Sequence, residues 1–332
     1  MKLATPRWWY GRARPPAWRF VLYPLSWIWA AATARRIARG EAVDPGVPVI
    51  CVGNLTVGGV GKTPVAREIA LRLQAAGKTA FILSRGHGGT ATEPTRVDPV
   101  HHTAAEVGDE PLMLAASLPV IVSPDRAAGA LRAAEAGAEV IVMDDGHQNP
   151  SVKKTLSLVV VDGETRNGEW PFGDGAVFPA GPMREPLARG LARADAVVIL
   201  LPPGVEYADP RLIALFVAKP TLVARLEAAE APPSGPQLGF AGVGKPWKIE
   251  RALKDAGCQL VGFEGFPDHA AYDAATLEGL AQRAAALGAG LVTTEKDWAR
   301  LPADWRPRVT AWPVRARFKD EAALDALLSR QL

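Results

Sequence analysis

A chain of 332 residues, 48% hydrophobic and 22% charged, is long enough for two cored domains and too apolar to be disordered. Its net charge of +3 hides an asymmetry: residues 1–40 hold eight Lys or Arg and no acid, so the remainder is net negative, which argues against a general nucleic-acid-binding surface. The two cysteines, Cys51 and Cys258, sit in apolar strand-like runs and read as buried thiols of a reducing compartment; no Cys or His spacing suits a structural zinc site.

The basic arm also carries Trp8, Trp9, Trp18, Trp27 and Trp29, half of the ten tryptophans. Its longest uncharged run, residues 20–34, contains Pro24 and is shorter than the about 20 residues that cross a bilayer core. Arginines flank the run and aromatic rings favour the headgroup level, so the arm reads as a helix lying in the membrane interface. Two alternatives compete: a secretory signal ending in Ala30-Ala-Ala-Thr-Ala34, and an amphipathic helix packed on its own protein.

Val47 to Val65 organises the rest of the chain. A β-branched run, Val49 to Val52, enters a glycine turn at Gly58, Gly59 and Gly61, and then a helical pattern with Val65, Ile69 and Leu73. Strand, glycine loop, Lys-Thr, helix is the arrangement that cradles nucleotide phosphates, which points to ATP. The backbone N–H groups of Gly58, Gly59, Val60, Gly61, Lys62 and Thr63 would face the anion, Lys62 would reach its outer phosphates, and Thr63 would ligate Mg²⁺. The strict pattern wants glycine where Thr56 stands, so this is a shorter form, Gly-Gly-x-Gly-Lys-Thr.

Residues 41–226 alternate strand and helix as a parallel sheet covered on both faces does. Strands are expected near 48–53, 79–84, 119–123, 139–143, 157–162, 195–201 and 220–226, with helices near 63–76, 109–117, 125–136 and 208–217. Polar loops at 84–108, 144–151 and 163–185 follow strand ends, where ligands bind in open α/β sheets. A linker-like stretch, Glu227 to Pro236, introduces a smaller α/β unit over 227–332. Its strands are expected near 237–241, 258–263, 290–294 and 308–312, its helices near 246–255, 275–287 and 320–330, and a sheet shared between the halves stays open.

Candidate site residues cluster at strand ends. Asp144 and Asp145 close an apolar strand, as the magnesium-holding acid of a P-loop site does. His147 and Gln148 follow and could meet phosphate or sugar, although His147 could equally be a packed loop histidine. Arg184, with Glu185, is a candidate for the substrate phosphate, given arginine's bidentate fit. In Gly108-Asp109-Glu110-Pro111, helix capping is the reading that local pattern favours. His269, after a strand in the second unit, is a general-base candidate. Gly242-Val-Gly-Lys245-Pro246 imitates a P-loop but lacks its Ser/Thr, and reads as a strand-to-helix turn. Thr294-Glu295-Lys296-Asp297 either lines a site or caps a helix.

Seven stretches in one order resemble the tetraacyldisaccharide 4′-kinase family, the lipid A 4′-kinases of Gram-negative envelope synthesis. They are the P-loop segment 52–64, Ser84-Arg-Gly86, Gly108-Asp-Glu-Pro111, Asp144-Asp-Gly-His-Gln148, Gly181-Pro-Met-Arg-Glu-Pro186, Phe266-Pro-Asp-His269 and Thr294-Glu-Lys-Asp297. The resemblance implies transfer of the ATP γ-phosphoryl group to the 4′-hydroxyl of an acylated glucosamine disaccharide 1-phosphate lipid. It implies Mg²⁺; Thr63 and Asp144 or Asp145 would position the ion, and Glu110 is a further candidate ligand. It also implies a peripheral enzyme, expected to be a monomer, at the cytoplasmic face of the inner membrane, with two α/β/α domains that close over the nucleotide. The family's Asp–His dyad falls on Asp109 and His269, which displaces the capping preference. Three positions depart from the family: His87 for tyrosine, His147 for phenylalanine, Lys245 for asparagine. A rival reading is a partitioning or sorting ATPase, but Val57 stands where such proteins carry a lysine; another is a P-loop kinase of a different membrane sugar lipid.

Overall fold

The computed structural model describes residues 6–11, 16–166, 168–202, 204–244 and 246–330. Lys2, Arg12 and Arg14 of the basic arm, and Lys245, lie outside them. The helices are α1 Tyr23–Arg39, α2 Lys62–Ala75, α3 Ala104–Val107, α4 Asp109–Ala115, α5 Arg126–Glu135, α6 Leu187–Ala192, α7 Pro210–Ala214, α8 Pro246–Asp255, α9 Ala274–Ala286, α10 Glu295–Ala299 and α11 Glu321–Ser329. The strands are β1 Val49–Gly53, β2 Ala80–Ser84, β3 Thr95–Arg96, β4 Val120–Val122, β5 Val140–Asp144, β6 Leu156–Asp162, β7 Ala196–Leu201, β8 Thr221–Ala228, β9 Pro236–Ala241, β10 Gln259–Gly265, β11 Gly290–Thr294, β12 Val309–Trp312 and β13 Val314–Phe318.

Apolar runs with no polar alternation fill the middle of a sheet whose two faces are both covered. β1, β2, β5 and β7 are buried at every position, and they lie inside a nine-stranded sheet ordered β13-β8-β7-β6-β1-β5-β2-β4-β3. Its pairings are parallel except at the two edges, where β3 runs against β4 and β13 against β8. One face packs Val65, Ile69 and Leu73 of α2 against Ile50, Val52 and Val142, and Leu324 and Leu328 of α11 join the same core, which includes Ala224, Ala316 and Phe318. On the other, Ala130 and Ala133 of α5 cover Phe81, Ile121 and Met143, while Phe172, Leu212 and Phe216 cover Val159, Val197 and Ile199. A second, all-parallel sheet is ordered β10-β9-β11-β12.

The strand and helix positions expected for both units are present within a few residues. The division at 227 differs toward the C-terminus. After β12 the chain passes Pro313 and returns to the large sheet as β13, paired with β8 from Val314↔Ala228 to Phe318↔Ala224. The cause is a one-sided strand: Ala316 and Phe318 are buried while Arg315 and Arg317 face water. Residues 314–329 therefore complete the first lobe. The linker also begins later, because β8 runs on to Ala228.

Candidate active site

The phosphate loop is built from backbone. Gly58 and Gly61 have φ of 104° and 81°, the left-handed range that favours glycine, and a Cβ on Gly61 would also push against the Leu200 side chain, 2.3 Å from its Cδ2. A Cβ on Gly59 would meet nothing within 4 Å, so the loop's outer side is open. Helix α2 starts at Lys62 with no side-chain cap and no acid in its first turn. Its leading N–H groups and positive dipole end are thus left for an anion. From behind, Pro182 O accepts the Val57 N–H at 2.7 Å and Leu55 O accepts the Arg184 N–H at 2.8 Å, strapping residues 182–184 along 55–57.

The acids at the end of β5 occupy opposite electrostatic settings. Asp144 is buried; burial, then Glu110, push its carboxyl up to about 7 against the pull of Lys62. Its Oδ2 accepts from Thr63 Oγ1 at 2.9 Å, and the same hydroxyl lies 3.4 Å from Glu110 Oε2. Asp144 Oδ1 is buried with no hydrogen-bond partner among the described residues. An orphaned carboxylate oxygen beside a threonine hydroxyl and a second acid is what a divalent cation would satisfy, so Thr63, Asp144 and Glu110 fit Mg²⁺. Asp145 adopts φ of 52° and turns the other way. Burial would raise it, but Lys62 Nζ at 3.7 Å and the Arg184 fork at 2.7 and 3.1 Å hold it far below the usual carboxylate range. Asp145 is thus held between Lys62 and Arg184.

The second lobe reaches this cleft through two strand-to-helix turns. His269, at φ of 56°, places Nδ1 at 2.9 Å from Asp109 Oδ2. Asp109 Oδ1 accepts the Glu110 N–H at 3.0 Å, so the carboxylate serves its helix with one oxygen and the histidine with the other. Burial raises the Asp109 carboxyl, but the His269 bond, Lys296 and Arg300 outweigh it and bring it down to about 2. Lys296 Nζ lies 3.0 Å from Glu110 Oε1, 3.4 Å from His269 Nε2 and 3.8 Å from Asp109 Oδ2. Burial disfavours its charge, yet Glu110, Asp109 and Asp268 together raise its pKa. Arg67 and Glu295 close the far side of the seam at 2.9 and 3.0 Å. The His87 ring stands edge-on to that of His269 at 5.4 Å, the place the family's tyrosine would take.

Lys62, Thr63, Asp109, Glu110, Asp144, Asp145, Arg184 and His269 therefore surround one cleft. Three expected substrate residues do not. His147 is buried, with Nδ1 3.0 Å from Ser157 Oγ and Nε2 2.9 Å from Gly190 O, and burial brings its pKa down to about 4. Gln148 donates to Asn54 O and Glu185 Oε1, and Glu185 is taken up by Arg193 at 2.6 and 2.8 Å. Their polarity is spent under the loop, where Gln148 lies 3.3 Å from Arg184. The Gly242–Gly244 turn is the strand-to-helix connection expected, from β9 to α8. It also holds the dyad, since Gly242 O accepts the His269 N–H at 3.1 Å. Thr294-Glu295-Lys296-Asp297 is both of its alternatives: Thr294 caps α10, buried Asp297 binds the Gly242 N–H and Tyr272, and Glu295 and Lys296 cross to the first lobe. Sequence reasoning missed Arg67, Arg300 and Arg126, the last donating to Asp144 O at 3.0 Å, because their partners are remote in the chain.

The arm is docked as well. Its helix turns Ser26 and Thr33 inward while Trp18, Phe20, Val21, Leu25, Trp27 and Ile28 are more than half exposed. Among the described residues no helix is long and apolar enough to cross a membrane.

The model of the family described as tetraacyldisaccharide-1-P 4′-kinase (LpxK) matches residues 18–332. Tetraacyldisaccharide 4′-kinases of Phenylobacterium zucineum and of Caulobacter sp. K31 are 68% and 66% identical to this chain, over 99% of it and 99% and 98% of their own lengths. That of Maricaulis maris is 48% identical over 96% of this chain and 92% of its own. A crystal structure of LpxK from Aquifex aeolicus in complex with ATP superposes with a TM-score of 0.75 at 28% identity, covering 94% of this chain and 99% of that one. With a glycine loop before α2, an aspartate–histidine pair beside it and family likeness running nearly end to end, this chain belongs to the tetraacyldisaccharide 4′-kinase family.

Proposed function

We propose that this protein transfers the γ-phosphoryl group of ATP to the 4′-hydroxyl of a tetraacylated glucosamine disaccharide 1-phosphate, giving lipid IVA. The observation that carries the reading is the Asp109–His269 pair, 2.9 Å apart, drawn from different lobes and tied to Thr63 and Lys296 through Glu110. Family membership favours it over a sorting ATPase.

The N–H groups of residues 58–63 and Lys62 hold the β- and γ-phosphates. Thr63, Asp144 and Glu110 would hold Mg²⁺, which neutralises charge on the phosphate oxygens. The acceptor hydroxyl gives its proton to the Asp109–His269 pair as its oxygen bonds to phosphorus and the bond from phosphorus to the β–γ bridging oxygen breaks, releasing ADP. With His269 Nδ1–H donating to Asp109, the ring lone pair sits on Nε2, where it faces the Lys296 ammonium at 3.4 Å, and that contact gives way when Nε2 takes the hydroxyl proton. Because phosphoryl transfer has a loose transition state, positioning and charge neutralisation carry more of the rate than base strength.

The acyl chains stay partly in the membrane beside the arm. The outward tryptophans and exposed Arg35, Arg36 and Arg39 suit an anionic lipid interface, and the inward-facing polar residues of α1 suit a helix with water on neither side. The enzyme is then peripheral, at the cytoplasmic face of the inner membrane where ATP is present. Transfer of ³²P from ATP to the defined disaccharide lipid in detergent tests the reaction, and ATP turnover indifferent to that lipid would sink it. Deleting the arm should release the protein from anionic vesicles.

A further inference from the structure

The arm and the phosphate loop are bonded to each other. Tyr10 OH donates to Val57 O, one residue before the first loop glycine. Trp29 Nε1–H donates to Arg184 O at 3.0 Å, and the Arg184 side chain in turn bonds Thr56 O at 2.9 Å and forks onto Asp145. Around these bonds the contact is continuous. Ser26 Oγ donates to Val177 O at 2.8 Å and accepts the Ala180 N–H at 3.1 Å, and the Trp29 and Phe178 rings lie 4.9 Å apart. Arg19 pairs with Asp174, and Trp170 N–H donates to Tyr10 O at 2.8 Å. A mere tether needs none of this. Trp29 is also 44% exposed, so one indole borders both the lipid-facing surface and the backbone of the arginine that orients Asp145.

We infer that Trp29 is a positioning residue: its indole N–H fixes the Arg184 carbonyl, so that seating α1 at the membrane and setting Arg184 beside the phosphate loop are one event. The inference rests on the reading of Arg184 as part of the phosphoryl-transfer cleft. Indole N–H groups in the interface ordinarily bond lipid or water; here the donor is committed inward, and the apolar ring faces outward.

Trp29→Phe keeps an aromatic ring at the surface but removes the pyrrole ring together with its donor, so a loss of kcat without a loss of vesicle binding separates positioning from anchoring. In the full-length protein, assayed with the disaccharide lipid in detergent, kcat should fall about fivefold, which is about 1 kcal/mol at 1.4 kcal/mol per decade. Sedimentation with anionic vesicles, ATP affinity and melting temperature should stay within twofold or a degree or so of the parent. In a cycle with Arg184→Ala, the double variant should be no slower than Arg184→Ala alone. Tyr10→Phe, which removes the other bond, provides a second variant expected to lower kcat by a similar factor. An unchanged kcat in Trp29→Phe, additive losses in the cycle, or a loss confined to vesicle binding would each overturn the inference while leaving the kinase reading intact. Arg184→Ala with normal turnover would overturn both the inference and the role given to Arg184.

Discussion

The two lobes furnish the same cleft by different means. The large lobe adds to its side chains a backbone cradle: glycines at positive φ, an uncapped helix end and a strap of main-chain bonds behind the loop. The small lobe offers side chains, His269, Lys296, Arg300 and Glu295, each meeting a first-lobe partner across the seam. Backbone donors are fixed once the sheet folds, whereas crossing ion pairs depend on how the lobes sit. The contrast separates binding from chemistry: the large lobe alone should bind nucleotide, and phosphoryl transfer should need both.

Substitutions at the seam should cost the most turnover and the least binding. Asp109→Ala and His269→Ala are expected to slow turnover by about 10²–10⁴, with ATP affinity within a few fold of the parent, and the double variant should be little worse than the slower single one. Turnover kinetics beside equilibrium ATP titration check this, and two active single variants would break the comparison. Lys62→Ala should behave oppositely in kind, losing about 10²–10³ in kcat together with ATP affinity.

A subtler difference lies under the large lobe's loop. His147 is buried neutral, its pKa brought down to about 4 from 6.5. The unfolded chain takes up that proton near 6.5 and the folded chain only near 4. This group therefore costs nothing above pH 6.5 and removes up to about 3 kcal/mol of stability as the pH falls from 6.5 to 4. Asp144, pushed up to about 7, titrates in the opposite sense across the same interval, so the histidine's part is read as the difference between the parent and His147→Gln in denaturant melts. Identical pH profiles for the two proteins would rule the assignment out. The smallest effect is expected at the outer edge of the seam. Arg67→Ala breaks a two-pronged but partly hydrated pair with Glu295, and should lower kcat/KM by no more than about fivefold, with melting unchanged.

How much of this could be read from residues alone depended on how local each cause is. β1, β5 and the loop between β1 and α2 were legible because burial on both faces and glycine spacing are written in consecutive residues. The pairing of Asp109 with His269 was legible only through family resemblance, since Asp109 at a helix start has an ordinary capping role, and it does serve α4 with one oxygen. His147, Gln148 and Glu185 misled because a polar residue after a strand looks the same whether it faces a ligand or a buried carbonyl. β13 escaped notice because Pro313 alone separates it from β12, and only five alternating residues mark it as a strand of another sheet. Lys296 and Arg67 find their partners 186 and 228 residues away, beyond any pattern a window can hold.

The return of β13 and α11 has a consequence for how the protein is made. During synthesis the phosphate loop leaves the ribosome early, but the strand that pairs with β8 and the helix beside Ala224 and Ala316 emerge only after the whole small sheet. Until residues 314–329 emerge, that flank of the nascent lobe is bare apolar surface with an unpaired strand edge, the condition that invites holdase chaperones and mispairing. A nascent chain halted after the small sheet should therefore be bound by such chaperones and sensitive to protease, and release of the final segment should end both.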